Sequence, residues 1–219
     1  GEVLQDIHKL GKDYARSDYG QGKRVLVEFV SANPTGPMHI GNARGGVLGD
    51  ALASVLDAAG YYVEREFYIN DAGNQVNKFG ASLEARYLQI FKGEDAIPFP
   101  EDGYKGADII AHAENFAKEY GDKYVEASQE ERRAALVGYA LPKNIQGLHD
   151  DLLRYRVEYD NWFKESSLHE NGSVEKVVEL LKEKGATYEK DGAVWFHGEE
   201  YGSEDFVLVR SNGVPTYVV

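Results

Sequence analysis

The residues whose types and spacing could do chemistry gather in one stretch, Val27-Glu28-Phe29-Val30-Ser31-Ala32-Asn33-Pro34-Thr35-Gly36-Pro37-Met38-His39-Ile40-Gly41-Asn42. An imidazole, a glycine and a carboxamide (His39, Gly41 and Asn42) stand where a helical pattern begins. Unpaired backbone N–H groups and the macrodipole at such a helix mouth favour a phosphate. Glu28 adds a carboxylate and Asn33 an amide just upstream. Each residue also has a plainer reading. Glu28 alone would be a solvated carboxylate on an edge strand, Asn33 an Asx-turn before Pro34, and His39 a satisfied loop histidine. The place ahead of a helix mouth favours the chemical reading for His39, the two readings of Asn33 are compatible, and residue type alone leaves Glu28 as a solvated carboxylate.

The elements that must hold these groups follow from the pattern. Residues 25–30 form a short apolar run, expected to be a buried parallel strand. Asn33-Pro34 and Gly36-Pro37 exclude both helix and ladder. Beyond Gly41, the residues Val47, Leu48, Ala51, Leu52, Val55, Leu56 and Ala59 recur at helical spacing, which predicts one buried face, and Gly60 is placed to end the helix. Residues 61–69 are rich in β-formers and read as the second strand of a β-α-β unit. Asn70-Asp71-Ala72-Gly73 then lies at the carboxyl end of that strand, where open α/β sheets place ligands. Its plainer reading has Asp71 or Asn74 capping a helix that runs toward Phe91.

Downstream, residues 92–104 break into a loop, and helices are expected over 107–118 and 129–140. Pro142 should end or kink that path before Ile145, Leu148 and Leu152 resume a helical stripe. Ser173 is expected to cap a helix over 175–184 that Gly185 closes. Asp191-Gly192 between 187–190 and 193–197 is a hairpin signal. Residues 206–209 and 215–219 read as strands around Ser211-Asn212-Gly213, and Trp162 with its neighbouring tyrosines reads as core.

Composition narrows the function. The 219 residues are 42% hydrophobic, enough for a core. The absence of cysteine excludes disulfides and thiolate metal sites, and the six histidines (8, 39, 112, 149, 169, 197) lack ligand spacing. A formal charge of −13 makes a self-sufficient nucleic-acid binder a poor fit, since lysine and arginine supply most phosphate neutralisation. Without a long apolar run or secretory leader, a cytoplasmic protein is expected. Walker A and Gly-x-Gly-x-x-Gly loops are both absent from the sequence.

His39-Ile40-Gly41-Asn42 resembles the His-Ile-Gly-His signature of class I aminoacyl-tRNA synthetases, and the string from Glu28 to Arg44 is similar to that of arginyl-tRNA synthetases. The resemblance continues through Tyr68-Ile69-Asn70-Asp71-Ala72-Gly73-Asn74-Gln75, through Tyr159-Asp160-Asn161-Trp162-Phe163-Lys164-Glu165-Ser166, and into Val207-Leu208-Val209-Arg210-Ser211-Asn212-Gly213-Val214-Pro215-Thr216-Tyr217. It implies an α/β fold: an incomplete Rossmann-like nucleotide-binding fold with a largely helical insertion that contains a β-hairpin. It also implies ATP-dependent activation of arginine to arginyl-adenylate and transfer to tRNA, with Mg2+ accompanying ATP and no protein-bound metal.

By the same resemblance, His39 and Asn42 are the catalytic residues, and His39, Gly41 and Asn42 bind ATP. Glu28, Ser31, Ala32, Asn33, Asn42 and Tyr217 bind arginine, with Arg44, Asp71 and Gln75 as secondary candidates. The chemistry is coherent. In-line attack on the α-phosphate needs fixed donors more than a nucleophilic side chain, and a guanidinium needs a carboxylate or several amide oxygens. Asn42 departs from the second signature histidine, removing an ionisable ring while keeping an amide that both donates and accepts. Gly41 is expected to let adenine approach the backbone.

The expected organisation is 1–24 as a linker from a preceding domain, 25–92 as the first half of the catalytic domain, 93–203 as the connective insertion, and 204–219 as the start of the second half. The family's later aspartate, its lysine-bearing loop and its anticodon-binding domain are not in this sequence, so a fragment with negligible activity of its own is expected. The full-length enzyme is expected to be a monomer that grips tRNA mostly through those other regions and touches no membrane. Two alternatives stand beside this reading: another His-x-Gly-His nucleotidyltransferase, or a non-enzymatic RNA- or protein-binding module around 130–159.

Overall fold

A computed structural model describes residues 1–216 and 218–219. They form two compact units, 1–164 and 165–219.

In the first unit, helix α1 (Glu2–Leu10) precedes strand β1 (Arg24–Glu28), helix α2 (Ile40–Ala58), strand β2 (Tyr62–Ile69) and helix α3 (Gly73–Lys92). Helices α4 (Ala107–Tyr120) and α5 (Gln129–Arg154) follow, then strand β3 (Asn161–Lys164). The strands pair in parallel in the order β1-β2-β3. β3 lies within the stretch expected as insertion, and it adds the third strand to this sheet. One sheet face buries Val27, Phe67 and Ile69 together with Leu148 and Leu152 of α5. The other face is open and carries Leu26 and Glu28. Residues 14–22 are tethered to the α2–β2 turn, with Ser17, Gly20 and Gly22 N–H groups donating to the carbonyls of Ala58, Ala59 and Gly60.

The expected buried face of α2 is not the one observed. Gly46, Gly49 and Ala53 are buried, whereas Val47, Leu48, Leu52 and Val55 are exposed. Close approach decides this. A Cβ on Gly49 would fall within 2.5 Å of Phe29 Cβ, so α2 lies against the strand end on its smallest residues. A periodicity of large apolar residues does not register a face built from glycine and alanine. Arg65 locks the same helix to β2 by donating to Asp50 Oδ1 at 3.2 Å and Ser54 Oγ at 3.1 Å.

Pro142 does not interrupt α5 either, which runs unbroken for 26 residues. Proline removes one ladder bond to the carbonyl four residues back. That residue is Gly138, and both it and Pro142 are exposed, which leaves the freed carbonyl within reach of solvent. Leu136, Ala140 and Leu141 on one side and Leu148 and Leu152 on the other anchor both halves of the helix. A second core joins α3, α4 and α5 through Phe79, Leu83, Tyr87, Phe116 and Leu136. Between α3 and α5, buried Glu84 accepts from Arg132 Nε at 2.9 Å and Arg133 Nε at 2.6 Å.

The second unit holds helices α6 (Ser166–Glu170) and α7 (Ser173–Glu183) and the antiparallel strands β4 (Thr187–Lys190), β5 (Ala193–Phe196) and β6 (Phe206–Val209). The expected hairpin is present, with Asp191 (φ 54°) and Gly192 (φ 74°) both left-handed, as its tight turn requires. Ser173 is not the cap of α7. Gly172 occupies that position, and Asn171 Oδ1 accepts from the Ser173 N–H. Of the strand expected over 215–219, residue 217 lies outside the described residues, while Pro215 forms a bridge with Val209 and Thr216 N–H donates to Leu208 O at 2.7 Å.

Candidate active site

The connection from β1 to α2 is a strained, tethered turn. Val30 (φ 66°) and Ser31 (φ 41°) are both left-handed, a conformation costly for any residue with a Cβ and most of all for a β-branched one. The bonds around them hold it. Ser31 N–H and the Tyr159 hydroxyl both donate to Phe29 O, each at 3.0 Å. Ser31 Oγ donates to Glu28 Oε1 at 2.7 Å while accepting from the Tyr68 N–H at 3.1 Å. Tyr159 also stacks on Phe29, ring centroids 4.6 Å apart. Burial pushes its phenol well above the ordinary value near 10, and the Asp50 carboxylate adds to that shift. It is therefore a neutral donor.

Glu28 is exposed on the open sheet face, so Ser31 and not burial sets its geometry. Its register partner on β2 is Glu66, which accepts from Asn161 Nδ2 at 2.6 Å. Among the described residues neither carboxylate has an ion-pair partner. Sequence reading missed Glu66, because only strand register brings it beside Glu28.

The helix mouth is built by the signature itself. His39 is the N-cap of α2; its Nδ1 accepts from the Gly41 N–H at 3.1 Å, and Asn42 Oδ1 accepts from the His39 N–H at 3.0 Å. These reciprocal bonds form a capping box. With Nδ1 accepting, the hydrogen of a neutral ring sits on Nε2, leaving that nitrogen free to donate outward. Asn42 Nδ2 is likewise left as a donor. A Cβ on Gly41 would stand 2.9 Å from His39 Cε1, so glycine leaves room for the imidazole in this position. His39 lines an open groove of roughly 500 Å³ with Met38, Ile40, Ala43, Asp151, Arg154 and Tyr155. Sequence reading missed the last three, although the Leu148–Leu152 stripe of α5 fixes their side of the helix.

Asn33 and Arg44 are exposed, and Ala32 is half-buried against the core. Asp71 is half-buried and Gln75 exposed at the start of α3, whose N-cap is Ala72 without a side-chain cap. Tyr217 lies outside the described residues. Glu28 and Ser31 are thus bonded into one cluster, and His39, Gly41 and Asn42 into a second at the far end of the same turn. Among the described residues no group of three or more His, Asp or Glu side chains is arranged to hold a metal ion.

The first unit is thus a parallel β-α-β unit whose helix opens on a capped His-x-Gly-x mouth, and comparison with known proteins places this arrangement in class I aminoacyl-tRNA synthetases. The family model for "tRNA synthetases class I (R), catalytic domain" matches residues 4–219. The arginine–tRNA ligase of Caldanaerobacter subterraneus subsp. tengcongensis is 63% identical over 218 residues, covering 99% of this chain and 38% of that protein. That of Acetivibrio thermocellus is 59% identical over 217 residues with the same coverage. A solved Campylobacter jejuni structure described as an arginyl tRNA synthetase superposes with a TM-score of 0.85 at 32% identity, covering 99% of this chain and 47% of that one. The Thermus thermophilus arginyl-tRNA synthetase, at 24% identity and a TM-score of 0.64, shares the fold over 98% of this chain and 37% of its own. The chain belongs to the arginine-type class I tRNA synthetase catalytic-domain family. It spans 38% of the length of these curated relatives. No helix among the described residues is long and apolar enough to cross a membrane.

Proposed function

We propose that this chain supplies the arginine- and ATP-binding corner of a longer arginine–tRNA ligase that acts as a cytoplasmic monomer. In that reaction an arginine carboxylate oxygen attacks the α-phosphorus of ATP, forming one P–O bond as the bond to pyrophosphate breaks. A tRNA hydroxyl then takes the arginyl group and releases AMP. The observation that carries this reading is the single turn running from the Ser31-tethered Glu28 to the capped mouth of α2. Glu28, with Glu66 beside it and Asn33 further along the same turn, faces a guanidinium, which needs planar, charge-assisted acceptors; Tyr217, outside the described residues, stays a candidate from the family resemblance alone. His39 Nε2 and Asn42 Nδ2 donate to phosphate oxygens as charge builds there, with the dipole of α2 adding to the attraction. Arg44, Asp71 and Gln75 are further candidates at the rim. Mg2+ belongs with the ATP phosphates, consistent with its habit of keeping water and using few protein ligands. Residues 93–203 as a connective insertion, and 204–219 as the start of a second catalytic half, remain part of this proposal, with tRNA held mainly by other regions.

Calorimetry with arginine, lysine and citrulline tests the pocket. Arginine-selective binding that is lost in Glu28→Gln is the expected result; equal affinity for citrulline would overturn the charge assignment. In ATP–pyrophosphate exchange with arginine and tRNA, the 219-residue chain should be near background while a polypeptide at the relatives' length turns over. Comparable turnover by the two would refute the division of labour.

A further inference from the structure

The turn that carries Asn33 and delivers His39 has almost no bonds of its own. Among the described residues, positions 32–38 make no backbone–backbone hydrogen bond. Pro34 and Pro37 have no N–H to offer. The single hydrogen bond made by these seven residues, within the described chain, comes from α5: Asn144 Nδ2 donates to Pro34 O at 2.9 Å. Pro34 is fully buried, so water does not substitute for that donor.

Asn144 is itself oriented. Its Oδ1 lies 2.7 Å from His112 Nε2 on α4. A carbonyl only accepts, so the amide must turn its NH2 toward Pro34 and its oxygen toward the ring. His112 Nε2 must then carry the hydrogen, in the neutral or the charged form. The first turn of α4 also runs beside the loop, since a Cβ on Gly36 would stand 3.7 Å from Asp108 Oδ2.

We propose that Asn144 is a positioning residue for the active-site turn, with His112 setting the direction of its amide. The relay ties two helices of the 93–203 stretch to the backbone between the amino-acid cluster and the helix mouth. Its role in activity rests on the proposed function; the bonding itself does not.

Hydrogen exchange followed by mass spectrometry on the 219-residue chain tests the bonding. Asn144→Asp removes the donor, and the bonded amides within 33–42, those of His39, Gly41 and Asn42, should exchange about tenfold faster, the scale of one lost hydrogen bond. Gln146→Glu puts the same charge on an exposed position of the same helix and should leave that segment unchanged. His112→Ala should loosen the turn and His112→Gln, which restores an N–H donor, should recover it. In a polypeptide at the relatives' length, Asn144→Asp should lower kcat/KM for arginine-dependent exchange severalfold and Gln146→Glu should not. Exchange of 33–42 within twofold of the parent in both Asn144→Asp and His112→Ala would overturn the proposal. A turn that loosens as expected in a polypeptide lacking arginine-dependent exchange would support the relay and overturn the activity reading alone.

Discussion

Gly49→Ala should destabilise this protein even though alanine is the better helix former. The new Cβ would fall within 2.5 Å of Phe29 Cβ and closer still to its ring. The ring cannot withdraw, because Tyr159 stacks on it and donates to the Phe29 carbonyl. Helix α2 must therefore back away from the strand end. Overpacking of this kind costs about 1–3 kcal/mol, and an overlap this deep belongs at the upper end. The gain in helix propensity returns roughly 1 kcal/mol, leaving a net loss of about 2 kcal/mol. Gly138→Ala is the matched control, a helical glycine whose Cβ would meet nothing within 4 Å. It should gain up to about 1 kcal/mol from propensity and reduced unfolded-state freedom. Urea unfolding of the three proteins, read by far-ultraviolet circular dichroism and tryptophan fluorescence, gives both differences. A Gly49→Ala protein as stable as the parent, or stabilised like Gly138→Ala, would refute the close-approach account of α2. It would also remove the reason its large aliphatic residues face outward.

Arg132→Ala should cost about 3–5 kcal/mol, because it leaves Glu84 buried with only Arg133 and strips a donor from the carbonyls of Tyr124, Val125 and Ala127; thermal melting of the variant checks this. Stability should also fall in alkali. Tyr159 and Tyr87 both have phenols raised above the ordinary value by burial, so above about pH 10 the unfolded chain releases protons that the folded chain retains. Each group then contributes a loss of about 1.4 kcal/mol per pH unit until its folded-state value is passed. Tyr159→Phe should flatten that decline in urea titrations from pH 9 to 11, and an unchanged slope would count against its buried, neutral state.

Backbone placement shapes this corner. His39 and Asn42 satisfy each other's ends of the helix through the capping box, which leaves one donor nitrogen on each side chain directed away from the bonds they already make. Asn42 accordingly fills the cap without an ionisable ring. Gly41 serves the same geometry by leaving room for the His39 ring against it.

Local chemistry was readable from the residues alone. The breaker pairs 33–34 and 36–37, the helix start at 39–42 and the Asp191-Gly192 turn act within a few positions of chain, so sequence by itself determined the β1–α2 corner, the β4–β5 hairpin and the family resemblance. Tertiary contact decided the rest. Which face of α2 is buried depends on how near Phe29 lies, and the persistence of α5 through Pro142 depends on the exposure of one carbonyl and on packing to either side. Glu66 joins Glu28 only through strand register, and Asn144 reaches Pro34 across 110 positions of sequence. No local pattern encodes such pairings. They arise because a buried carbonyl must find a donor and a helix must find a surface it fits, and both partners come from wherever folding brings the chain.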